Sequence, residues 1–305
     1  MKALTGRSTV GLCVGILVVA LVGQAAQPAA KPGKPSSAID TKAKQTPPIK
    51  LGTSGGWAYD LANGYCCGGT LGALVTDGTQ QYILSNFHVL AADTVPGGNG
   101  LVAEIGDPVI QPGLIDVGCR ASGAQTVGLL AAYADPFDGL NIDAALAVVV
   151  PGMVDASGAI LGIGVLSSAT APAVLKQRVK KTGRTTGLTA STVQGLNATI
   201  QVLYDTECAG SDRGVATFTG QILVGNRGNK FLAAGDSGSL LVEDVATNPR
   251  AVGLLYAGSS QIAVAHPIND VLTALGVSMV GVAGGAACAA RLRRLDEKAE
   301  IVLLE

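Results

Sequence analysis

Aromatic and charged residues are scarce in this 305-residue sequence, and each shortage excludes a class of function. Phe, Trp and Tyr together make up 4% of the chain, which leaves few stacking surfaces for bases or sugars. Only 14% of residues are charged and the formal net charge is -1, so the sequence gives no electrostatic case for nucleic acid or an anionic membrane as the main partner. Histidine occurs only twice, which limits the candidates for a near-neutral base to His88 and His266.

Metal-binding and fibrous signatures are also missing. No cysteine or histidine spacing resembles a zinc site, and no calcium loop is recognisable. We therefore predict no metal and no cofactor. The 42 glycines have no Gly-X-Y period, which excludes collagen. Many glycines and valines with few long helical patterns instead indicate short strands joined by tight turns.

The first 26 residues have the pattern of an export signal. Lys2 and Arg7 precede an apolar run over residues 12–22, and small residues follow at 23–26. The run is too short for a comfortable transmembrane helix. We predict a cleaved signal peptide, a secreted or cell-envelope protein, and no stable membrane insertion after cleavage. An uncleaved signal anchor is the alternative.

Five cysteines follow the predicted signal, an odd number that leaves at least one thiol free or paired between chains. Neighbouring cysteines cannot readily bond to each other without strain. Cys119 with Cys208 is one possible pair, but the sequence does not assign the connectivity. The five are Cys66, Cys67, Cys119, Cys208 and Cys288.

Composition divides the remaining chain into four parts. Residues 27–50 are rich in proline and lysine and predict an extended linker or propeptide. Residues 51–150 and 151–277 contain short apolar stretches separated by turns, as in β-barrels or sandwiches. Helical spacing over 267–275 predicts a short helix that packs on them. Residues 278–305 form a separate tail, which we predict to be an amphipathic helix over 286–304.

Ser237 is the candidate nucleophile, because it lies in a glycine-flanked turn directly before an apolar run. Gly235 and Gly238 permit a strained turn that presents the hydroxyl group. The same turn can direct the N–H groups of Gly235 and Ser237 at a developing oxyanion. A serine hydroxyl needs a base to take its proton, and His88 is the candidate.

Asp143 is the candidate that orients His88. It lies between Ile142 and Ala144 in an apolar segment, where an unpaired carboxylate would be costly. Asp138 is the nearest competitor. A rival order, Ser237, Asp244 and His266, follows that of α/β-hydrolases, but that fold needs glycine where Ser239 stands.

The motifs together resemble those of the chymotrypsin-fold (trypsin-like) serine peptidases, in particular the bacterial exported members. The resemblance covers roughly residues 51–277 and rests on several segments in the family's order. These are Cys67-Gly68-Gly69-Thr70-Leu71, Ser85-Asn86-Phe87-His88-Val89, Ile142-Asp143-Ala144-Ala145, Lys181-Thr182-Gly183-Arg184-Thr185-Thr186-Gly187, Gly235-Asp236-Ser237-Gly238 and Gly253-Leu254-Leu255-Tyr256-Ala257-Gly258.

The resemblance implies an all-β fold of two six-stranded-type barrels with the active-site cleft between them and a short C-terminal helix. It implies peptide-bond cleavage through an acyl-enzyme, with a protein or peptide as substrate. It also implies that Tyr256, Ala257 and Gly258 bind the substrate backbone as an added strand.

Departures from the family pattern bear on disulfides and specificity. Val89 and Ala233 stand where many members have cysteine. Phe231 stands where trypsin-type members have an acid, so we expect a preference for small or apolar side chains. Two alternatives remain: a catalytically silent peptidase-fold binding module, and a zymogen that requires removal of residues 27–50.

Overall fold

The computed structural model describes residues 16–17, 39–62, 65–91, 103–204 and 214–283. Up to residue 150 these contain β1 (Ile16–Leu17), β2 (Thr53–Trp57), β3 (Leu61–Ala62), β4 (Tyr65–Cys66), β5 (Gly69–Leu71), β6 (Ala73–Thr76), β7 (Gln81–Ser85), α1 (Phe87–Leu90), β8 (Pro108–Gln111), β9 (Gln125–Ala134) and β10 (Ala144–Val149). Beyond it lie β11 (Arg178–Gly183), β12 (Gly187–Tyr204), β13 (Gly214–Gly225), β14 (Leu240–Glu243), β15 (Ala251–Gly258), β16 (Ile262–Pro267), α2 (Ile268–Leu275) and β17 (Ser278–Met279).

The N-terminal barrel is a sheet in the order β17-β6-β7-β10-β9-β8-β2-β5. Only Gly72 separates β5 from β6, so these two act as one bent strand and bring the sheet round on itself. A side chain at Gly72 would collide with the carbonyl oxygen of Gly238, because the two barrels meet at this bend. Leu71, Leu74, Leu84 and other fully buried residues fill the interior.

The C-terminal barrel runs in the order β12-β11-β14-β15-β16-β13, and the pairing of β13 with β12 closes it. Its interior holds two clusters of buried apolar side chains, one around Val179 and Leu255 and one around Phe218 and Val264. β1, which falls inside the predicted signal peptide, pairs in parallel with β12. The prediction of an all-β two-barrel fold is confirmed.

Both ends of the described chain cross between the barrels. Residues 39–50, the described part of the predicted linker, lie against the barrels: Ile49 is fully buried and bridges to Val154, and the Thr41 hydroxyl donates to the carbonyl of Arg184. At the other end, β17 pairs with β6 of the N-terminal barrel. The predicted tail therefore starts as strand, and residues 284–305 lie outside the described part.

Helix α2 begins after Pro267 and ends at Gly276, whose φ of 67° suits a residue without a Cβ. It buries Ile268, Val271 and Leu272, as the spacing over 267–275 predicts. Within the described ranges, no helix has the length and apolar character needed to cross a bilayer.

Cys66 and Cys119 form a disulfide, so the pairing of Cys119 with Cys208 that the sequence allows is wrong. Both cysteines lie in the N-terminal barrel's connections, where the short strand β4 approaches the turn after residue 116. Cys67 is disulfide-bonded as well. Cys208 and Cys288 lie outside the described residues.

Candidate active site

Neighbouring strands bring His88 and Asp143 together. His88 lies in α1, three residues after β7, and Asp143 immediately precedes β10, which is the antiparallel partner of β7. The His88 Nδ1 atom lies 2.6 Å from Asp143 Oδ2, and the His88 backbone N–H donates to Oδ1 over 3.3 Å. Both side chains are buried. Asp138, the competing aspartate, is exposed on a turn.

Three further residues hold Asp143 in place. The Tyr204 hydroxyl donates to Asp143 Oδ2 over 2.8 Å, and the Asn86 amide donates to the Asp143 carbonyl oxygen over 2.7 Å. The Asp143 N–H donates to His266 Nε2 over 3.1 Å. His266 stacks on the ring of Tyr256 with the centroids 3.8 Å apart. Hydrogen bonds therefore fix both the carboxylate and the backbone of Asp143.

The electrostatics favour a charged Asp143 and a neutral His266. Burial alone would raise the pKa of Asp143, but the charge and hydrogen bond of His88, together with His266 and the Tyr204 hydrogen bond, outweigh it and hold the pKa below its usual value. Burial lowers the pKa of His266 to about 3, which leaves this ring uncharged at neutral pH. Because Nε2 accepts a hydrogen bond from Asp143, the neutral ring of His266 carries its proton on Nδ1.

Ser237 lies in a tight turn between two glycines with φ angles of 90° and 89°. Its carbonyl oxygen accepts a hydrogen bond from Thr70 of β5 over 2.9 Å, which joins the turn to the N-terminal barrel. Gly69 is enclosed between that oxygen and the side chain of Val89, the residue after His88. The serine turn of one barrel thus lies beside the histidine of the other.

The Ser237 hydroxyl donates to the carbonyl oxygen of Tyr256 over 3.4 Å, a long hydrogen bond. The Nε2 atom of His88 is buried, with no hydrogen-bond partner among the described residues. Nor do the N–H groups of Gly235 and Ser237 donate to any partner there.

Asp236 holds the serine turn in place through an ion pair and hydrogen bonds to the backbone. Its fully buried carboxylate lies 3.2 Å from the equally buried Nζ of Lys181. It also accepts hydrogen bonds from the backbone N–H groups of Thr185, Thr186 and Ala233. Burial lowers the pKa of Lys181, while Asp236 opposes that shift. A carboxylate with this many donors keeps the turn in one conformation.

A second ion pair joins the barrels beside the turn. Arg184 donates to both carboxylate oxygens of Asp116, over 2.6 and 2.7 Å, and Ser54 donates to the same carboxylate. A side chain at Gly235 would meet the Arg184 guanidinium at 2.8 Å. The glycine is therefore required both by its φ angle and by the space that Arg184 occupies.

A cavity of about 250 Å³ opens next to Ser237. Its walls combine apolar side chains with neutral polar ones, and no charged residue lines it: Asn226, Asn229, Leu232, Ala233, Ala234, Ser237, Tyr256, Ala257, Gly258 and Ser259. Phe231 lies behind the wall in the barrel core, not in the cavity. The ladder between β14 and β15 ends at Leu254, so Ala257 and Gly258 pair only with β16 among the described strands, and Tyr256 lies at a register shift in that ladder.

The rival arrangement of Ser237, Asp244 and His266 is not assembled. Asp244 pairs with Arg178 at the barrel surface, whereas His266 contacts Asp143. His266 also ends β16 together with Pro267, as the sequence indicates. The two-barrel β architecture independently excludes an α/β-hydrolase.

Comparison with solved structures finds the same architecture in bacterial serine proteases. A glutamic-acid-specific serine protease, described as using a novel histidine triad in substrate binding, superposes with a TM-score of 0.50 at 20% identity, covering 76% of this chain and all of its own. The chain has the chymotrypsin fold. Thermobifida fusca Protease A gives 0.47 at 19% identity over 76% of this chain and 98% of its own, and a Cellulomonas bogoriensis chymotrypsin gives 0.44 at 20% over 77% and 99%.

Two sequence comparisons complete the picture. A family model described as the Nal1 C-terminal domain matches residues 117–266, a little under half of the chain. Comparison with curated protein sequences returns no significant match. At these identities the likeness defines the chymotrypsin fold, and the chemistry must be argued from the residues.

Several residues that shape the site are not predicted from the sequence. Asn86 follows β7 within the histidine motif, and its position there was the only available signal. Tyr204 lies 61 residues from Asp143, at the end of a long strand without any motif. The contact of Lys181 with Asp236 joins two recognised motifs whose proximity only the barrel closure reveals.

Proposed function

We propose that this chain is an exported serine endopeptidase that cleaves peptide bonds through an acyl-enzyme, with His88, Asp143 and Ser237 as its catalytic triad. The observation that carries the proposal is the 2.6 Å contact between His88 Nδ1 and Asp143 Oδ2, buried beside a serine turn whose conformation is fixed. A buried carboxylate–imidazole pair next to an accessible serine hydroxyl suits proton transfer in acyl chemistry.

In the first half-reaction the Ser237 hydroxyl leaves the Tyr256 carbonyl and transfers its proton to His88 Nε2, while Oγ bonds to the scissile carbonyl carbon. The N–H groups of Gly235 and Ser237 stabilise the negative oxygen. His88 then gives its proton to the leaving amine as the C–N bond breaks. Asp143 keeps Nδ1 protonated and stabilises the charged ring throughout.

Water completes the cycle. His88 takes a proton from a water molecule, whose oxygen bonds to the acyl carbon, and the ester bond to Oγ breaks as Ser237 regains its proton. The acid is released and the enzyme returns to its starting state. No cofactor takes part in these steps.

At Tyr256, Ala257 and Gly258 one edge of β15 has no partner among the described strands, which supports a role for these residues in holding the substrate backbone. β15 pairs with β16 on one side, and its other edge at these residues adjoins the Ser237 hydroxyl. An extended peptide added there would run past the nucleophile, and the neutral cavity would receive the side chain next to the scissile bond. A small or apolar side chain suits walls made by Leu232 and Ala233.

Two features argue against a zymogen that needs its N-terminal segment removed. Lys181 already neutralises Asp236 inside the fold, so no new N-terminal amine is needed there. Residues 39–50 hydrogen-bond to both barrels, and removing them would expose the apolar surface that now buries Ile49. A silent binding module is the remaining second candidate, favoured by the Ser237 hydroxyl's bond to Tyr256 instead of His88.

Labelling with a fluorophosphonate tests the proposal. We expect the purified protein to be labelled at Ser237, and the label to disappear in Ser237→Ala and His88→Ala. Ser157→Ala, which changes an exposed turn serine, is the matched control and should label like the wild type. Absence of labelling in the wild type, with tight binding of uncut peptides, would identify the binding module.

A further inference from the structure

Asp143 accepts a hydrogen bond from a residue outside the proposed triad. Tyr204 lies at the end of β12, is 2% exposed, and donates its hydroxyl proton to Asp143 Oδ2 over 2.8 Å. The same oxygen accepts the His88 Nδ1–H bond. Two donors from different barrels therefore converge on one carboxylate oxygen.

The position of Tyr204 depends on the length of one hairpin. β12 and β13 pair from Val193 with Val224 as far as Tyr204 with Gly214, and this carries the strand end beyond the closed part of the barrel to Asp143. There the ring of Tyr204 packs edge-on between Phe137 and His88, at centroid distances of 5.7 and 6.3 Å. Rings on both sides fix its orientation.

We infer that Tyr204 is a positioning residue of the proposed peptidase, which sets the geometry of the His88–Asp143 hydrogen bond from the C-terminal barrel. The inference rests on the proposed function for its kinetic consequence but not for its structural one. With the hydroxyl present, Oδ2 has a fixed place between two donors. Without it, the carboxylate has only His88 to direct Oδ2, and a buried oxygen loses a donor that water cannot replace.

Tyr204→Phe removes the hydroxyl and keeps the ring, so the contacts with Phe137 and His88 remain. Tyr82→Phe is the matched control, because the Tyr82 hydroxyl also donates to an aspartate, Asp77 Oδ2, over 2.8 Å, on an exposed hairpin of the N-terminal barrel. Both variants lose one tyrosine–aspartate hydrogen bond, and only one loses it at the site.

Two readouts are measured on the full-length variants. The first is the low-field proton resonance of His88 Nδ1–H, assigned by its loss in His88→Ala, which reports the hydrogen bond to Asp143 whether or not the protein turns over substrate. The second is the rate constant of fluorophosphonate labelling. We expect Tyr204→Phe to shift the resonance and to slow labelling by about ten- to a hundredfold, and Tyr82→Phe to change neither.

The outcomes separate this inference from the proposed function. An unchanged resonance in Tyr204→Phe would overturn the positioning role, whatever the labelling rate. A shifted resonance in a protein whose wild type is never labelled would uphold the positioning role and overturn the peptidase. A shift of equal size in Tyr82→Phe would reduce the effect to a general loss of stability and overturn the inference.

Discussion

At the scale of single residues, the buried pair of Lys181 and Asp236 matters for stability. Removing one partner leaves the other charge buried without its counterion, whereas the loss of a surface pair costs little. The Lys181 side chain is fully buried and also donates to the Thr186 hydroxyl and the Gly187 carbonyl oxygen. The turn that carries Ser237 depends on this ammonium group.

We expect Lys181→Met to lower the free energy of unfolding by about 3–5 kcal/mol, because Asp236 would remain buried and unpaired. Urea denaturation measures the change. Lys180→Met is the control, since this neighbouring lysine donates only to an exposed carbonyl oxygen, that of Val245. Equal stability of the two variants would contradict the importance of the buried pair.

His266 gives the protein a pH dependence of stability. In the unfolded chain its ring titrates near pH 6.5, whereas its pKa in the fold is about 3. Between these values the unfolded state binds the extra proton, so the free energy of unfolding falls as the pH drops from about 6.5 toward 3. The slope from this one group is about 1.4 kcal/mol per pH unit.

His266→Gln should remove this contribution, since the Gln amide oxygen can still accept the Asp143 N–H bond but does not titrate. Urea denaturation of both proteins between pH 4 and 7 measures the slopes. The wild-type slope should exceed that of the variant. Parallel curves would mean that His266 is protonated in the fold at the same pH as in the unfolded chain.

The residue scale also defines the limits of sequence reasoning. The sequence predicts His88, Asp143 and Ser237 because a local motif marks each of them, and the fold places His88 in contact with Asp143 and the Ser237 turn close to Val89. The contacts of Tyr204 and His266 with Asp143 are not predicted from the sequence. Both depend on how far a hairpin extends and which strand faces which, and neither has a local signature.

At the scale of elements, the helical spacing over 267–275 predicts α2, which covers Ile268–Leu275. The length of β12 is not predictable from the sequence, because Gly195 and Asn197 are turn-type residues and the strand continues through them with shifts in its register against β13. The pairing of β17 with β6 is not predictable, since it joins residues about 200 positions apart.

The cavity beside β15 leads to a prediction about specificity. Leu232 is nearly buried, and a Cβ at Gly258 would lie 2.8 Å from its Cδ2 atom. If the chain cleaves peptides as proposed, Leu232→Ala should enlarge the cavity and raise the preference for large apolar side chains over alanine by about tenfold in kcat/KM. Leu175→Ala, an exposed leucine elsewhere on the same barrel, is the control. An unchanged preference would locate side-chain recognition elsewhere.

At the scale of the whole molecule, Asp116 and Arg184 connect the barrels through a two-point contact that is almost buried. A double-mutant cycle with Asp116→Asn and Arg184→Met should give a coupling energy of about 1–3 kcal/mol in urea denaturation. The pair Arg250 and Glu243, whose arginine side chain is 48% exposed, provides a comparison cycle with a coupling below about 1 kcal/mol. Similar couplings in the two cycles would show that the barrels do not depend on this contact.

The crossing chain ends bear on how such a protein can be rebuilt. A boundary at residue 150 separates the barrels in sequence. Residues 39–51, however, contact residues after this boundary, and β17 pairs with β6, which precedes it. A hybrid made by exchanging residues 151–277 for a foreign barrel would remove Val154 and Ile160, the partners of Ile49 and Leu51, and would leave β17 to reach β6 from a foreign helix. Grafts that carry the donor's own crossing segments along with the barrel are the ones that should yield a folded, soluble product.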